Sequence, residues 1–227
     1  RYNTMTSKQP TIITMVCNKG GVGRSTTTIN VAWKLAELGL KTLPPEIGCL
    51  TRLKVIWLYN NELKRLPACI MNLQRLEVIR VECNKLEELP AEIWKLKNLV
   101  RINIRDNKLK KLPARIWKLK SLSKLVVSNN KLKELPAGIG GVSCLEDLCL
   151  KGNPLNKLPS EIGELKELRK LTLRGTQLRV LPPEIGGLIN LDTLDISWMD
   201  LTTLPDLTQL KKLVMWEQNE KNNLNLR

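Results

Sequence analysis

Histidine and phenylalanine are both absent from the 227 residues, and aromatic residues make up only 4% of them. Without histidine the chain lacks the commonest general base, the commonest metal ligand and the usual switch near neutral pH. The missing phenylalanine and the low aromatic fraction argue against an aromatic-rich compact core, so leucine and isoleucine must do the packing. The six cysteines (Cys17, Cys49, Cys69, Cys83, Cys144 and Cys149) include no C-x-x-C pair. With no histidine to complete a ligand set, they argue against zinc and read as reduced, partly buried thiols. No apolar run is long enough to cross a bilayer, and no basic-then-apolar start marks a signal peptide. The expectation is a cytoplasmic protein with no membrane contact and no metal.

What remains is aliphatic and basic. Hydrophobic residues are 42% of the chain, enough to offset the entropy of ordering it, so a disordered chain is excluded. The formal net charge is +15, which points to acidic partners or to a solvated lysine-rich surface.

The dipeptide Leu-Pro recurs with its proline at 44, 67, 90, 113, 136, 159, 182 and 205, each step 23 residues (67 − 44 = 23). Upstream in each unit stands L-x-x-L-x-L-x-x-N-x-L, as in Leu99, Ile102, Ile104, Asn107 and Leu109. Downstream an isoleucine recurs from Ile47 to Ile185, followed by Leu50, Leu73, Leu96, Leu119, Val142, Leu165 and Leu188. The L-x-L pair has strand periodicity, its apolar members facing in and its neighbours facing out. The asparagine sits where the chain turns out of the strand, and its amide can satisfy backbone groups of adjacent coils. The proline starts a return arm. No such coil can bury its own apolar edge, so coils stack. The asparagine column runs Asn61, Asn84, Asn107, Asn130, Asn153, then weakens to Thr176 and Met199. The last unit is expected to be one residue short, Leu210 standing where the period puts 211, and the ending signature reads as a terminal cap.

Residues 40–216 therefore resemble the leucine-rich-repeat family in its 23-residue L-P-x-x-I-x-x-L form. That form is similar to the repeats of plant intracellular immune receptors and of Ras-associated repeat scaffolds. The resemblance implies an α/β fold: a right-handed solenoid with a parallel sheet on its concave side. It implies a non-catalytic protein-interaction module, with a signalling role, and says little about which partner is bound.

Ahead of the repeats, residues 11–17 are a β-branched apolar run, followed by Asn18-Lys19-Gly20-Gly21-Val22-Gly23-Arg24-Ser25. Ile29, Val31, Ala32, Leu35 and Leu38 then stand at helical spacing, with Gly39 as a helix C-cap. Strand, glycine loop and helix is the context of a phosphate-binding loop. The segment resembles the deviant P-loop of ParA/MinD-type partition ATPases. On that resemblance Lys19 is the signature lysine, Gly20, Gly21 and Gly23 wrap phosphates of ATP, Arg24 stands at the P-loop lysine position, and Ser25, followed by Thr26, meets Mg²⁺. Arg24 departs from the pattern, since a guanidinium does not replace a compact ammonium. The aspartate-ended strand and adenine pocket of the ATPase are also missing. Residues 1–39 are accordingly expected to be an N-terminal cap, residues 40–216 the solenoid and residues 217–227 a polar tail. A seam at 40 also fits a chimera of two families. The alternatives are ATP binding at the residual loop and a designed or chimeric scaffold with no natural ligand.

The outward strand positions form columns. One reads Val55, Val78, Arg101, Lys124, Asp147, Lys170, Thr193; the next Trp57, Arg80, Asn103, Val126, Cys149, Thr172, Asp195; the third Tyr59, Glu82, Arg105, Ser128, Lys151, Arg174, Ser197. Trp57 and Tyr59 lie near one end and Trp198 near the other. Between them runs a band of Arg80, Arg101, Arg105, Lys124, Lys151, Lys170 and Arg174. Aromatic and arginine side chains are the types enriched in binding hot spots, so these ten residues are the candidate site for a protein partner with an acidic surface. Interleaved stacking platforms are lacking, which argues against nucleic acid. Trp94 and Trp117 are read as packing residues of the return arm.

Overall fold

The structure, a computed structural model, describes residues 32–208 and 212–214. The expected phosphate loop (Lys19, Gly20, Gly21, Gly23, Arg24, Ser25, Thr26), the run at 11–17 and the tail at 217–227 lie outside the described residues. Among the described residues nine three-residue strands stand in one parallel sheet in chain order. They are β1 (Ala32–Lys34), β2 (Val55–Trp57), β3 (Val78–Arg80), β4 (Arg101–Asn103), β5 (Lys124–Val126), β6 (Asp147–Cys149), β7 (Lys170–Thr172), β8 (Thr193–Asp195) and β9 (Lys212–Val214). From β1 to β8 each strand pairs with its neighbour at a shift of 23 residues, Ala32 with Val55 and Ile56 with Ile79 (55 − 32 = 23; 79 − 56 = 23).

Three expectations need correcting. The helical spacing over Ile29–Leu38 does not give a helix from Ala32 onward, because Ala32–Lys34 is strand β1. Trp33 and Leu35 stand 23 residues before Ile56 and Leu58, so this stretch is in register with the coils that follow, and Leu35 packs against their core. The sheet therefore starts before the expected seam at 40. At the other end β9 enters at Lys212 opposite Thr193, a step of 19 (212 − 193 = 19) rather than 22. The return arms, finally, hold no α-helix among the described residues. They are 3-10 turns, such as Ala68–Asn72 and Ser160–Glu164.

The local chemistry explains those turns. Pro67, Pro136, Pro159 and Pro182 hold extended backbone (Pro67 at φ −67°, ψ 146°) and their carbonyls accept from the isoleucine three residues on. The isoleucine carbonyl then accepts from the next leucine, as Ile70 does from Leu73 at 3.1 Å. Three-residue ring closures of this kind suit short segments. In the two tryptophan-bearing coils the turns shrink to Ile93–Lys95 and Ile116–Lys118. Between sheet and turns lies one continuous aliphatic core, with Ile56, Leu58, Leu86, Ile104 and Leu148 fully buried. Every coil lends its apolar edge to the next, as the repeat spacing requires.

The asparagine column is the polar counterpart of that core. Asn107 Oδ1 accepts from the Leu86 amide of the preceding coil at 2.9 Å. Its Nδ2 donates to Val81 of that coil at 2.9 Å and to Ile104 of its own at 3.1 Å. Asn61, Asn84, Asn130 and Asn153 repeat the pattern one coil apart each time. All five are buried, so each amide replaces water that cannot reach these backbone groups. The ladder stops at Thr176, whose buried hydroxyl has no hydrogen-bond partner.

Just before each ladder position the backbone enters the left-handed region: Asn60, Cys83, Asp106, Asn129, Gly152, Gly175 and Trp198 all have φ between 51° and 67°. Asparagine, aspartate and glycine tolerate this, whereas a bulky residue carries a cost of about 1–2 kcal/mol. Trp198, at φ 61° and 46% exposed, is therefore kept at an unfavourable position with little burial in return.

Two outcomes follow from the ladder and the left-handed column. Asn107→Ala strands an amide and two carbonyls, and should lower stability by about 1–3 kcal/mol, whereas Thr176→Asn should raise it by about 1 kcal/mol; urea denaturation of the three proteins compares them, and a destabilised Thr176→Asn protein contradicts the ladder. Trp198→Gly should leave the melting temperature unchanged or slightly higher, because relief of the left-handed strain offsets the extra chain entropy of about 0.5–1 kcal/mol; a fall of several degrees would instead make Trp198 a structural residue.

Candidate functional site

All ten residues of the candidate face are described, and the structure divides them into two groups. Trp57, Arg80, Arg101 and Lys124 line one open depression whose other walls include Val55, Val78, Asn103, Val126 and Asp147. Its floor is apolar because Val55 and Val78 occupy two successive outward positions of β2 and β3. Tyr59 borders the same end, with the Arg80 guanidinium 5.3 Å from its ring centre. Toward the other end Arg174 lies 5.4 Å from the ring centre of Trp198, and Lys151 and Lys170 stand exposed nearby in the columns. The valines and Asn103 were legible as column members, but not as the lining of a depression, since that depends on how far the flanking arginines extend.

The positive band is weaker than the column of cations suggests. Arg80 pairs with Glu82 through both Nε and Nη2. Arg105 pairs with Asp106 at 2.7 Å and Lys124 with Asp147 at 2.6 Å. Among the described residues Arg101, Lys151 and Lys170 have no carboxylate partner. Arg174, stacked over Trp198, has none either, so these four are the cations of the band with charge to spare. Glu82 is itself buried, and its second carboxylate oxygen has no hydrogen bond, so Arg80 acts mainly as its cover. The third column is also less open than its alternation predicts: Glu82, Ser128 and Ser197 are buried. Ser128 and Cys149 are 3.0 Å apart, Oγ to Sγ, and Ser197 donates to Asp195.

Beside the depression, Cys83, Arg105, Asp106 and Asn129 tie three coils together. Burial pushes the Asp106 carboxyl upward, but hydrogen bonds from Asn129 and Arg105, both at 2.7 Å, outweigh it and hold the group below its ordinary range. Burial, then the Asp106 charge, pushes the Cys83 thiol above its ordinary range, with Sγ 3.6 Å from the carboxylate. A thiol held protonated in this way is a poor nucleophile. Among the described residues no group of histidine, cysteine, aspartate or glutamate is arranged to hold a metal ion, and no helix is long and apolar enough to cross a membrane.

Known proteins show the same architecture. Residues 82–172 match the family model described as a leucine-rich repeat region. Among curated proteins none matches the sequence. Among solved structures the chain is similar to a leucine-rich-repeat protein of Leptospira interrogans, at 34% identity and a TM-score of 0.72, covering 82% of this chain and 54% of that one. It is similar to the leucine-rich-repeat ectodomain of the Arabidopsis thaliana receptor kinase GASSHO1/SCHENGEN3, solved in complex with Casparian strip integrity factor 2, at 28% identity and a TM-score of 0.71 (82% and 24% covered). It is also similar to a plant peptide hormone receptor, RGFR1, in complex with RGF2, at 32% identity and a TM-score of 0.72 (82% and 32% covered). The chain spans about half of the first protein and a quarter to a third of the two receptors. The stacked 23-residue parallel coils, the match over residues 82–172 and these likenesses together support a leucine-rich-repeat protein.

Proposed function

We propose that this protein is a non-catalytic recognition module that binds an acidic protein segment along its strand face. The observation that carries the reading is the depression over β2–β5, where half-buried Trp57 and the unpaired Arg101 flank an apolar floor. Arginine can bind a carboxylate through two parallel hydrogen bonds, and tryptophan adds desolvated contact area. An acidic segment with apolar side chains meets both features. The lesser charges, Arg80, Arg105 and Lys124, are engaged by their own neighbours, so they orient a partner rather than attract it. Lys151, Lys170 and the Arg174–Trp198 pair extend the surface toward the last coils. Two of the similar structures, a receptor-kinase ectodomain and a peptide hormone receptor, are in complex with named partners, which supports a protein-binding use of such a fold.

Screening a defined library of acidic, neutral and basic peptides tests this reading. Acidic peptides bearing an apolar residue should be enriched. Trp57→Ala and Arg101→Ala should each weaken their binding by about 1–3 kcal/mol. Lys64→Ala and Lys110→Ala, which alter exposed residues beyond the asparagine turn, should change it far less. Binding that survives both strand-face changes but is lost with Lys64 and Lys110 moves the site elsewhere.

A further inference from the structure

The side of the solenoid formed by the 3-10 turns carries a second pattern, unrelated to the strand face. On the turns of the coils at 90–120, Trp94 and Trp117 are half-buried and ringed by cations. Lys118 lies 4.5 Å from the ring centre of Trp94 and 5.4 Å from that of Trp117, so it sits between them. Arg115 and Lys95 are 5.8 Å and 5.9 Å from Trp94. None of these three cations has a carboxylate partner among the described residues. Two coils further on, the same columns are occupied by the opposite types. Where Arg115 and Lys118 stand, the coil at 159–165 has Glu161 and Glu164 (115 + 46 = 161; 118 + 46 = 164). Where Trp94 and Trp117 stand, the later coils have Gly186 and Gly163 (163 − 117 = 46; 186 − 94 = 92). Glu161 and Glu164 likewise have no cation partner among the described residues. The coil between the two halves, Ala137–Gly141, has no side chain larger than its buried Ile139, and Trp117 rests on its glycines.

We propose that this turn face binds a second copy of the chain, back to back and antiparallel. A twofold axis running along Ala137–Gly141, between the two faces, sets each coil opposite its counterpart on the other side of that turn. Arg115 of one copy then faces Glu161 of the other, and Lys118 faces Glu164. Trp94 faces the turn at Gly186, and Trp117, resting on the glycines of its own neighbouring coil, lies opposite the turn that buries Gly163, so no bulky side chain obstructs either ring. The twofold makes every such contact occur twice, as an isologous interface requires. Like-charged pairs oppose it, among them Lys111 with Lys157, Glu92 with Glu184 and, finally, Lys120 with Lys166. The last is blunted because both ammonium groups are already on backbone carbonyls, Lys120 on Gly141 at 2.7 Å and Lys166 on Gly187 at 2.9 Å. The strand face stays open in this dimer, so the proposal does not rest on what that face binds.

Charge reversal in two parts provides the test. Arg115→Glu with Lys118→Glu makes both ends of the face acidic; Glu161→Arg with Glu164→Lys makes both ends basic. All of these positions are on the surface, and unchanged melting curves confirm that each double variant folds. Sedimentation equilibrium of the full chain should show the wild type as a dimer at low salt that dissociates as salt screens the pairs. Each double variant alone should be monomeric. An equimolar mixture of the two should recover the dimer mass, because every acidic site then meets a basic one. A wild type monomeric at low salt, double variants that still dimerise alone, or a mixture that stays monomeric would each overturn the proposal.

Discussion

The five buried asparagines set the terms on which every other part of this protein is built. A parallel coil that reverses direction at the end of a three-residue strand leaves amides and carbonyls pointing into an aliphatic interior. Unpaired, each would cost about 1–3 kcal/mol. One primary amide per coil answers them, because its oxygen accepts while its NH2 group donates to two carbonyls. The same amide bridges to the previous coil, as Asn84 does from Leu58 to Leu63, and so locks the vertical spacing that the leucines only fill. With the spacing locked, outward residues fall into straight columns, and both faces inherit that order.

Much of this was legible because a repeat prints its geometry in the sequence many times over. The 23-residue step predicts the register Ile79 to Ile102 directly, and the inward leucines and isoleucines are the buried ones. The asparagine column was legible as well, down to its loss at Thr176. Legibility failed where a single copy had to be read. Residues 32–38 satisfy a helical spacing and an L-x-L strand spacing together, and only the 23-residue offset from Ile56 and Leu58 separates them. The short step into β9 has no second example in the chain to calibrate it. The state of each cation could not be read either, because Arg80 and Arg105 find carboxylates two and one residues away, while Arg101 does not.

The two faces use these columns differently. On the strand side, valines and a tryptophan over β2–β5 make a floor, and the free charge is concentrated in Arg101, Lys151, Lys170 and Arg174. On the turn side, cations and rings in one half stand in the same columns as carboxylates and glycines in the other. A net charge of +15 therefore reflects no uniform field. Several charges are paired locally, and such exposed pairs contribute little to stability; the remainder is sorted by coil and by face, which is what selective recognition needs.

Hydrogen exchange at the amides facing the ladder tests its role most directly. The Leu63, Leu86, Leu109 and Leu132 amides donate to successive asparagine side chains, whereas the Leu155 amide stands opposite Thr176, where the ladder has ended. If the ladder holds the coils together, the first four should be protected as one block and Leu155 should exchange markedly faster. Equal protection of Leu155, or fast exchange at Leu86 and Leu109, would contradict it.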